Sequence, residues 1–173
     1  RWAIVAALAR FGTFSGLQTT TSSSTDAYPD TYTFSFHGSS YSSPVIAFRA
    51  VELYGNEADA NGRYPTLEKP DATVRQLLAT LDAPPYSPSA GGIPFLDIAG
   101  RYLVISSQFS PSVLAGLDAE QIAGQLADSQ SAIARAVVGS ANLLTAAICR
   151  ATGGQPQAVC TAQAVVHAGS LLK

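Results

Sequence analysis

The chain has 173 residues, enough for one domain with a sizeable core. Apolar residues make up 47% of it and mean hydropathy is +0.17, which excludes a disordered chain. A net charge of -2 without any Lys/Arg run argues against nucleic acid as a partner, and 13% charged residues is low beside the roughly 25% of typical soluble domains.

The opening Arg1-Trp2-Ala3-Ile4-Val5-Ala6-Ala7-Leu8 is helical in character, with Trp2, Val5, Leu8 and Ala9 on one face and Gly12 as the stop. It has no capping residue in front. A chain that opens in mid-helix predicts residues ahead of Arg1, and with them any targeting signal, anchor or upstream strand. The longest unbroken apolar run, Ala3 to Ala9, is far short of the roughly 20 residues that span a bilayer.

Leu17 to Ser24 is Thr/Ser-rich and reads as a strand with a polar face. Tyr28-Pro29-Asp30 is turn-like. Tyr32, Phe34 and Phe36 alternate with Thr33, Ser35 and His37, the period of a half-buried strand. Pro44 to Glu52 predicts another, with Ile46, Phe48 and Ala50 opposed to Val45, Ala47, Arg49 and Val51. Residues 55–69 read as loop. Asp71 to Leu81 predicts a short helix with Val74, Leu77, Leu78 and Leu81 on one face.

A Pro/Gly/Ser loop over 84–92 leads into Ile93-Pro94-Phe95-Leu96-Asp97-Ile98-Ala99-Gly100-Arg101-Tyr102-Leu103-Val104. This reads as a β-hairpin: Phe95 to Ile98 runs out, Ala99-Gly100 turns, and Tyr102 to Ile105 runs back. Pro94 cannot donate to a ladder and belongs at a strand start or an edge. Beyond Ser110-Pro111 the chain reads as helical. Asp118-Ala119-Glu120-Gln121 is a capping-box start. The Ala-rich segment 132–151 is apolar on most sides, as a helix buried on more than one face would be. A last helix is expected from Pro156 to Leu172.

Two cysteines, Cys149 and Cys160, flank Gly153-Gly154-Gln155-Pro156, a break between two helices. A helical hairpin there would bring them to similar heights. They read as a disulfide or as two buried thiols. Only His37 and His167 could add ligands for zinc, and neither has ligand spacing, so no metal is expected. Both histidines read as solvated. No Ser/His/Asp order carries the glycines of a hydrolase elbow, and no Gly-rich loop has phosphate-binding spacing. No organic cofactor is expected. Trp2 reads as core or as the wall of a groove.

Three segments share one resemblance. They are Arg1 to Leu17; Asp30-Thr31-Tyr32-Thr33-Phe34-Ser35-Phe36 with Tyr41-Ser42-Ser43-Pro44; and the Ile93-Pro94 hairpin with Ile148-Cys149 and Val159-Cys160. Together they resemble a thioredoxin-like family known only as a domain of unknown function. Its members are anchored to the membrane by an N-terminal helix and lie outside the cytoplasm. The resemblance implies an α/β fold: a thioredoxin-like sheet with an enlarged C-terminal helical region, as one domain over 1–173. It implies that residues 32–37 and 45–52 share a sheet with 95–105, and that Pro94 is cis. It implies a Cys-Pro-x-Cys just ahead of Arg1, at the N-terminus of the first helix, where backbone amides stabilise a thiolate. The chain itself has no Cys-x-x-Cys, so no catalytic residue lies within it. Trp2, Ile93 and Pro94 would line the substrate groove, and Cys149 with Cys160 would be a structural disulfide.

Two functions of different class follow. One is an extracytoplasmic thiol-disulfide oxidoreductase acting on protein substrates, with its cysteine pair and membrane anchor upstream of Arg1 and a first strand missing with them. The other is a non-catalytic accessory subunit or binding module of a larger, membrane-embedded assembly.

Overall fold

In the computed structural model, which describes residues 1–172, a short helix α1 (Trp2–Leu8) and a long helix α4 (Ala132–Ala151) form the centre. They run side by side in the same direction. Trp2 packs in one cluster with Ile133 and Val137, and the Arg10 guanidinium donates to Thr145 Oγ1 at 2.8 Å a few turns on. The remaining helices are α2 (Ala72–Leu81), α3 (Ala119–Gln125), α5 (Gln157–Cys160) and α6 (Gln163–Leu171), with a 3-10 turn at Pro111–Leu114. The strands are β1 (Thr13–Ser15), β2 (Gln18–Thr21), β3 (Tyr32–Ser35), β4 (Ser40–Ser42), β5 (Phe95–Ile98) and β6 (Tyr102–Ile105). The class is mixed α/β, with small antiparallel sheets and an enlarged C-terminal helical region.

Local chemistry accounts for most boundaries. Asp71 caps α2 by accepting from the Val74 amide at 2.9 Å. Asp118 and Gln121 close a reciprocal capping box on α3. Ser131 caps α4, and Gly154 ends it: at φ +83° its amide reaches back to the Cys149 carbonyl at 2.8 Å. The single C-terminal helix expected over 156–172 is instead two, because Ala162 turns extended (ψ 131°) between α5 and α6. By length and composition α4 is apolar enough to cross a membrane, yet 56% of its apolar window is buried inside the protein. It is the core helix.

The expectation of one sheet is corrected. The strands form three separate two-stranded ribbons: β1 with β4, β2 with β3, and β5 with β6. Tyr32–Ser35 takes its partner from the Thr-rich run, in the register Thr19 opposite Phe34, and not from the hairpin. The Ala99-Gly100 hairpin forms as read, with Phe95 opposite Ile105 and both turn residues at positive φ (56° and 65°).

Residues 44–52 are not a strand. The alternation is real, since Ile46, Phe48 and Ala50 pack on the core while Ala47 and Arg49 are exposed. What is lacking is a ladder: none of the amides of residues 47–51 donates a hydrogen bond among the described residues. Periodicity dictates which side chains are inside, but a strand also needs a neighbour.

Two cores result. The larger gathers Ala3, Ile4, Ala7 and Leu8 of α1 with Phe36, Ile98, Leu144 and Ile148. Phe14, Phe36, Tyr41 and Phe48 pack edge-on and stacked at its border, with ring centroids 4.8–5.9 Å apart. The smaller holds Trp2, Leu114, Ile122, Ile133 and Val137.

Candidate functional site

The start of α1 is built around a buried carboxylate. Glu52, 8% exposed, accepts from the Arg1 guanidinium, from Ser35 Oγ at 2.8 Å and from the Phe36 amide at 2.7 Å. Arg1 also donates to the Phe34 carbonyl at 2.7 Å. Behind Glu52, the Glu68 carboxylate accepts from the Glu52 amide at 3.3 Å and lies 3.1 Å from His37 Nδ1. Burial, and then the like charge of its own guanidinium, pushes the Arg1 α-ammonium from 8.0 down to about 6.

Trp2 is spent inside. It is 6% exposed, its indole N–H donates to the Tyr32 carbonyl at 2.9 Å, and its ring meets Phe34 edge-on at 4.5 Å. It holds the β2–β3 ribbon against α4 and presents no surface to a ligand. Of the three residues expected to line a groove, it is therefore the wall and not the lining.

Ile93 is the opposite case. It is 81% exposed, the most exposed large apolar side chain among the described residues. Its loop is nevertheless tied down. The carboxylate of Asp82, 2% exposed, accepts from the amides of Gly91 at 3.1 Å and Gly92 at 3.0 Å. There is no room for a side chain at residue 92, where a Cβ would sit 2.5 Å from Ile105 Cγ2. On the other side Pro94, joined to Ile93 by a cis bond and half-buried, accepts from the Ser106 amide at 2.9 Å. An apolar side chain is thus held outward on a pinned loop.

Packing tells which end of the molecule this is. Tyr102, opposite Ile98, accepts through its hydroxyl from Arg150 at the end of α4. Beyond β6, the Gln108 carbonyl accepts from Ser140 Oγ, nearly three turns earlier in α4. β5 therefore runs in the direction of α1, and Ile93-Pro94 lies towards the Arg1 end.

Cys149 and Cys160 are joined in a disulfide, with Cα atoms 5.5 Å apart. It links α4 to α5 across the Gly-Gly turn and consumes both cysteines of the chain. His37 and His167 are exposed. Among the described residues no three His, Cys, Asp or Glu side chains converge as a metal site would require.

The sequence reading missed Glu52 and Asp82, the two carboxylates that organise this end. Each had a signal. Glu52 is the one acidic residue in the alternating run 44–52, on the same face as Ile46, Phe48 and Ala50, and a charge on a core-facing position is placed there to be bonded. Asp82 directly follows the apolar face of α2.

Residues 1–85, just under half of the chain, match a family model described as "Domain of unknown function (DUF929)". The match spans α1, the β1–β4 and β2–β3 ribbons, the unpaired segment and α2. It stops short of the Ile93-Pro94 hairpin and the disulfide. No curated protein matches the chain, and no solved structure does.

Proposed function

We propose that this chain is the scaffold of an extracytoplasmic, membrane-anchored, thioredoxin-like thiol-disulfide oxidoreductase whose cysteine pair lies ahead of Arg1. The observation that carries the reading is Ile93: an apolar side chain held in solvent by a buried carboxylate, at the end of the molecule where α1 begins. A thiolate at a helix N-terminus is stabilised by the unsatisfied amides there. Ile93 and Pro94 offer the adjoining apolar ledge for an extended substrate. The Cys149–Cys160 disulfide supports an oxidising compartment.

In this reading the first cysteine thiolate attacks one sulfur of a substrate disulfide and the other sulfur leaves as a thiolate that takes up a proton. The second cysteine then attacks the mixed disulfide. The substrate leaves as a dithiol and the enzyme pair is left oxidised. The accessory-module reading rests on a different observation, that the chain holds no free thiol and so has no nucleophile for this chemistry.

The test is a disulfide-reductase assay on the polypeptide that continues N-terminally of Arg1, beside the 173-residue chain. Activity is expected in the first alone, lost when the first cysteine of its pair becomes serine. Ile93→Asp should lower the rate about tenfold or more and shift stability by no more than about 0.5 kcal/mol, as at other exposed sites. A longer polypeptide without a cysteine pair, or an Ile93→Asp variant at full rate, would favour the accessory module.

A further inference from the structure

Four of the seven tyrosines, Tyr28, Tyr32, Tyr54 and Tyr64, stand on two neighbouring loops and are 37–61% exposed. The first loop, residues 22–32, leaves β2 and returns as β3. The second, residues 53–67, closes where Tyr54 faces Thr66. Serines 22–24, Asn56, Asn61 and Gly62 lie among the rings. Tyrosine with serine, asparagine and glycine is the composition of antibody binding loops. The rigid rings give contact area at little entropic cost, and the short polar groups give hydrogen bonds.

The loops are fastened to each other. The Tyr64 hydroxyl lies 2.9 Å from Ser23 Oγ and 2.8 Å from Thr25 Oγ1, and Asn56 Nδ2 donates to the Thr21 carbonyl at 2.8 Å. The bonds to Ser23 and Thr25 hold the Tyr64 phenol below its usual range, against desolvation and the negative charge of Asp26. Each loop is also fixed within itself. Thr31, buried, donates its amide to Ser22 Oγ and its hydroxyl to the Tyr28 carbonyl, both at 3.0 Å. Asp59 Oδ1 accepts from the amides of Asn61 and Arg63 at 2.8 and 2.9 Å. The Trp2 indole, bonded to the Tyr32 carbonyl, holds the ribbon to the body. A surface ordered before contact loses less entropy on binding.

Charge selects the partner. The two loops carry Asp26, Asp30, Glu57 and Asp59, all exposed, against Arg63 alone. None of these four carboxylates is in an ion pair among the described residues. Phosphate, nucleic acid and an anionic lipid surface would all meet repulsion here. A guanidinium suits both kinds of group. It stacks on a tyrosine face and takes a carboxylate through two parallel bonds, and it sheds water more readily than an ammonium.

We propose that residues 22–32 and 53–67 form a docking surface for a protein partner that presents arginine side chains, with the four tyrosines as anchors and the carboxylates as the rim. The surface uses neither Ile93 nor a cysteine pair, so its failure and the failure of disulfide exchange are separate results.

The experiment is an NMR titration of the 173-residue chain with an arginine-glycine repeat peptide and with its lysine-glycine counterpart of equal length. Shifts confined to the two loops are expected, with the arginine peptide bound about threefold or more tightly than the lysine one. Tyr54→Ala should weaken binding about fivefold or more, as loss of an interface anchor does. Tyr86→Ala, at a ring that is as exposed as Tyr54 but lies outside the loops, should leave it unchanged. The comparison of the two peptides needs no variant, so it decides even if Tyr54→Ala does not fold. No shift in the loops, shifts spread over the whole surface, equal affinity for the two peptides, or full affinity in Tyr54→Ala would each overturn the proposal. So would loops that respond to a neutral oligosaccharide such as maltohexaose and not to the arginine peptide.

Discussion

Asp82 Oδ1 accepts the amide of Gly92 at 3.0 Å from a position that is 2% exposed, and through that bond the end of α2 sets where Ile93 stands. A buried carboxylate with two amide donors is a strong local clamp, because charge-assisted bonds in a site without water exceed neutral ones. Removing it strands two donors that have no other partner.

Asp82→Ala should therefore destabilise the protein by about 3 kcal/mol, and Asp82→Asn, which keeps one acceptor, by clearly less. Gly92→Ala should cost about 1–3 kcal/mol by overpacking against Ile105. Urea unfolding monitored at the single tryptophan, Trp2, measures all three. An Asp82→Ala variant of unchanged midpoint would show that the loop does not depend on this clamp.

Glu52 is the corresponding anchor of the α1 end. Glu52→Ala leaves the Phe36 amide and Ser35 hydroxyl without their acceptor and Arg1 without its counter-ion. Arg1 is partly in water and can rehydrate, so the loss should be about 2 kcal/mol and not the roughly 3–5 kcal/mol of a fully buried broken pair. Glu52→Gln should cost less than Glu52→Ala, since the amide oxygen still accepts. Equal losses in the two variants would mean that packing volume, not hydrogen bonding, is what Glu52 supplies.

Stability of the 173-residue chain should depend on pH through the α-amine. In the unfolded chain this group titrates near 8.0 and in the folded chain near 6. Between these values the unfolded state binds the extra proton, so stability rises with pH across the window. It is complete above 8 and falls as the pH drops towards 6, by about 2 kcal/mol. Acetylating the amine should flatten this part of the curve. A profile that acetylation leaves unchanged would show that the α-nitrogen is in contact with water.

The Cys149–Cys160 bond closes a short loop between α4 and α5. Replacing both cysteines by serine should lower stability by about 2–3 kcal/mol while α4, held by α1 and α6 as well, stays helical. Thermal unfolding with circular dichroism separates the two effects. The denatured, unreduced protein should titrate no free thiol; two thiols per chain would refute the bond.

Elements whose cause is local were legible in the residues alone. The capping box at Asp118, the Ala99-Gly100 turn, the Gly153-Gly154 stop and the burial of the Ala-rich helix each depend on neighbours within a few positions. So did the in-and-out alternation of residues 44–52. Partnership was not legible, because a strand's ladder is chosen by what else lies within hydrogen-bonding reach. Thr19–Thr21 competed for Tyr32–Ser35 and won it, and Pro44–Glu52 was left extended without a neighbour. The site divided in the same way. Ile93 and Pro94 stood out as an apolar pair at a strand start, and the cysteines by their spacing. That Trp2 turns inward, and that Glu52 and Asp82 bind the two halves of the site from 51 and 10 residues away, was decided only when folding buried their carboxylates beside unsatisfied donors. A buried charge accepts whichever donors the tertiary structure brings to it, and no local pattern names them.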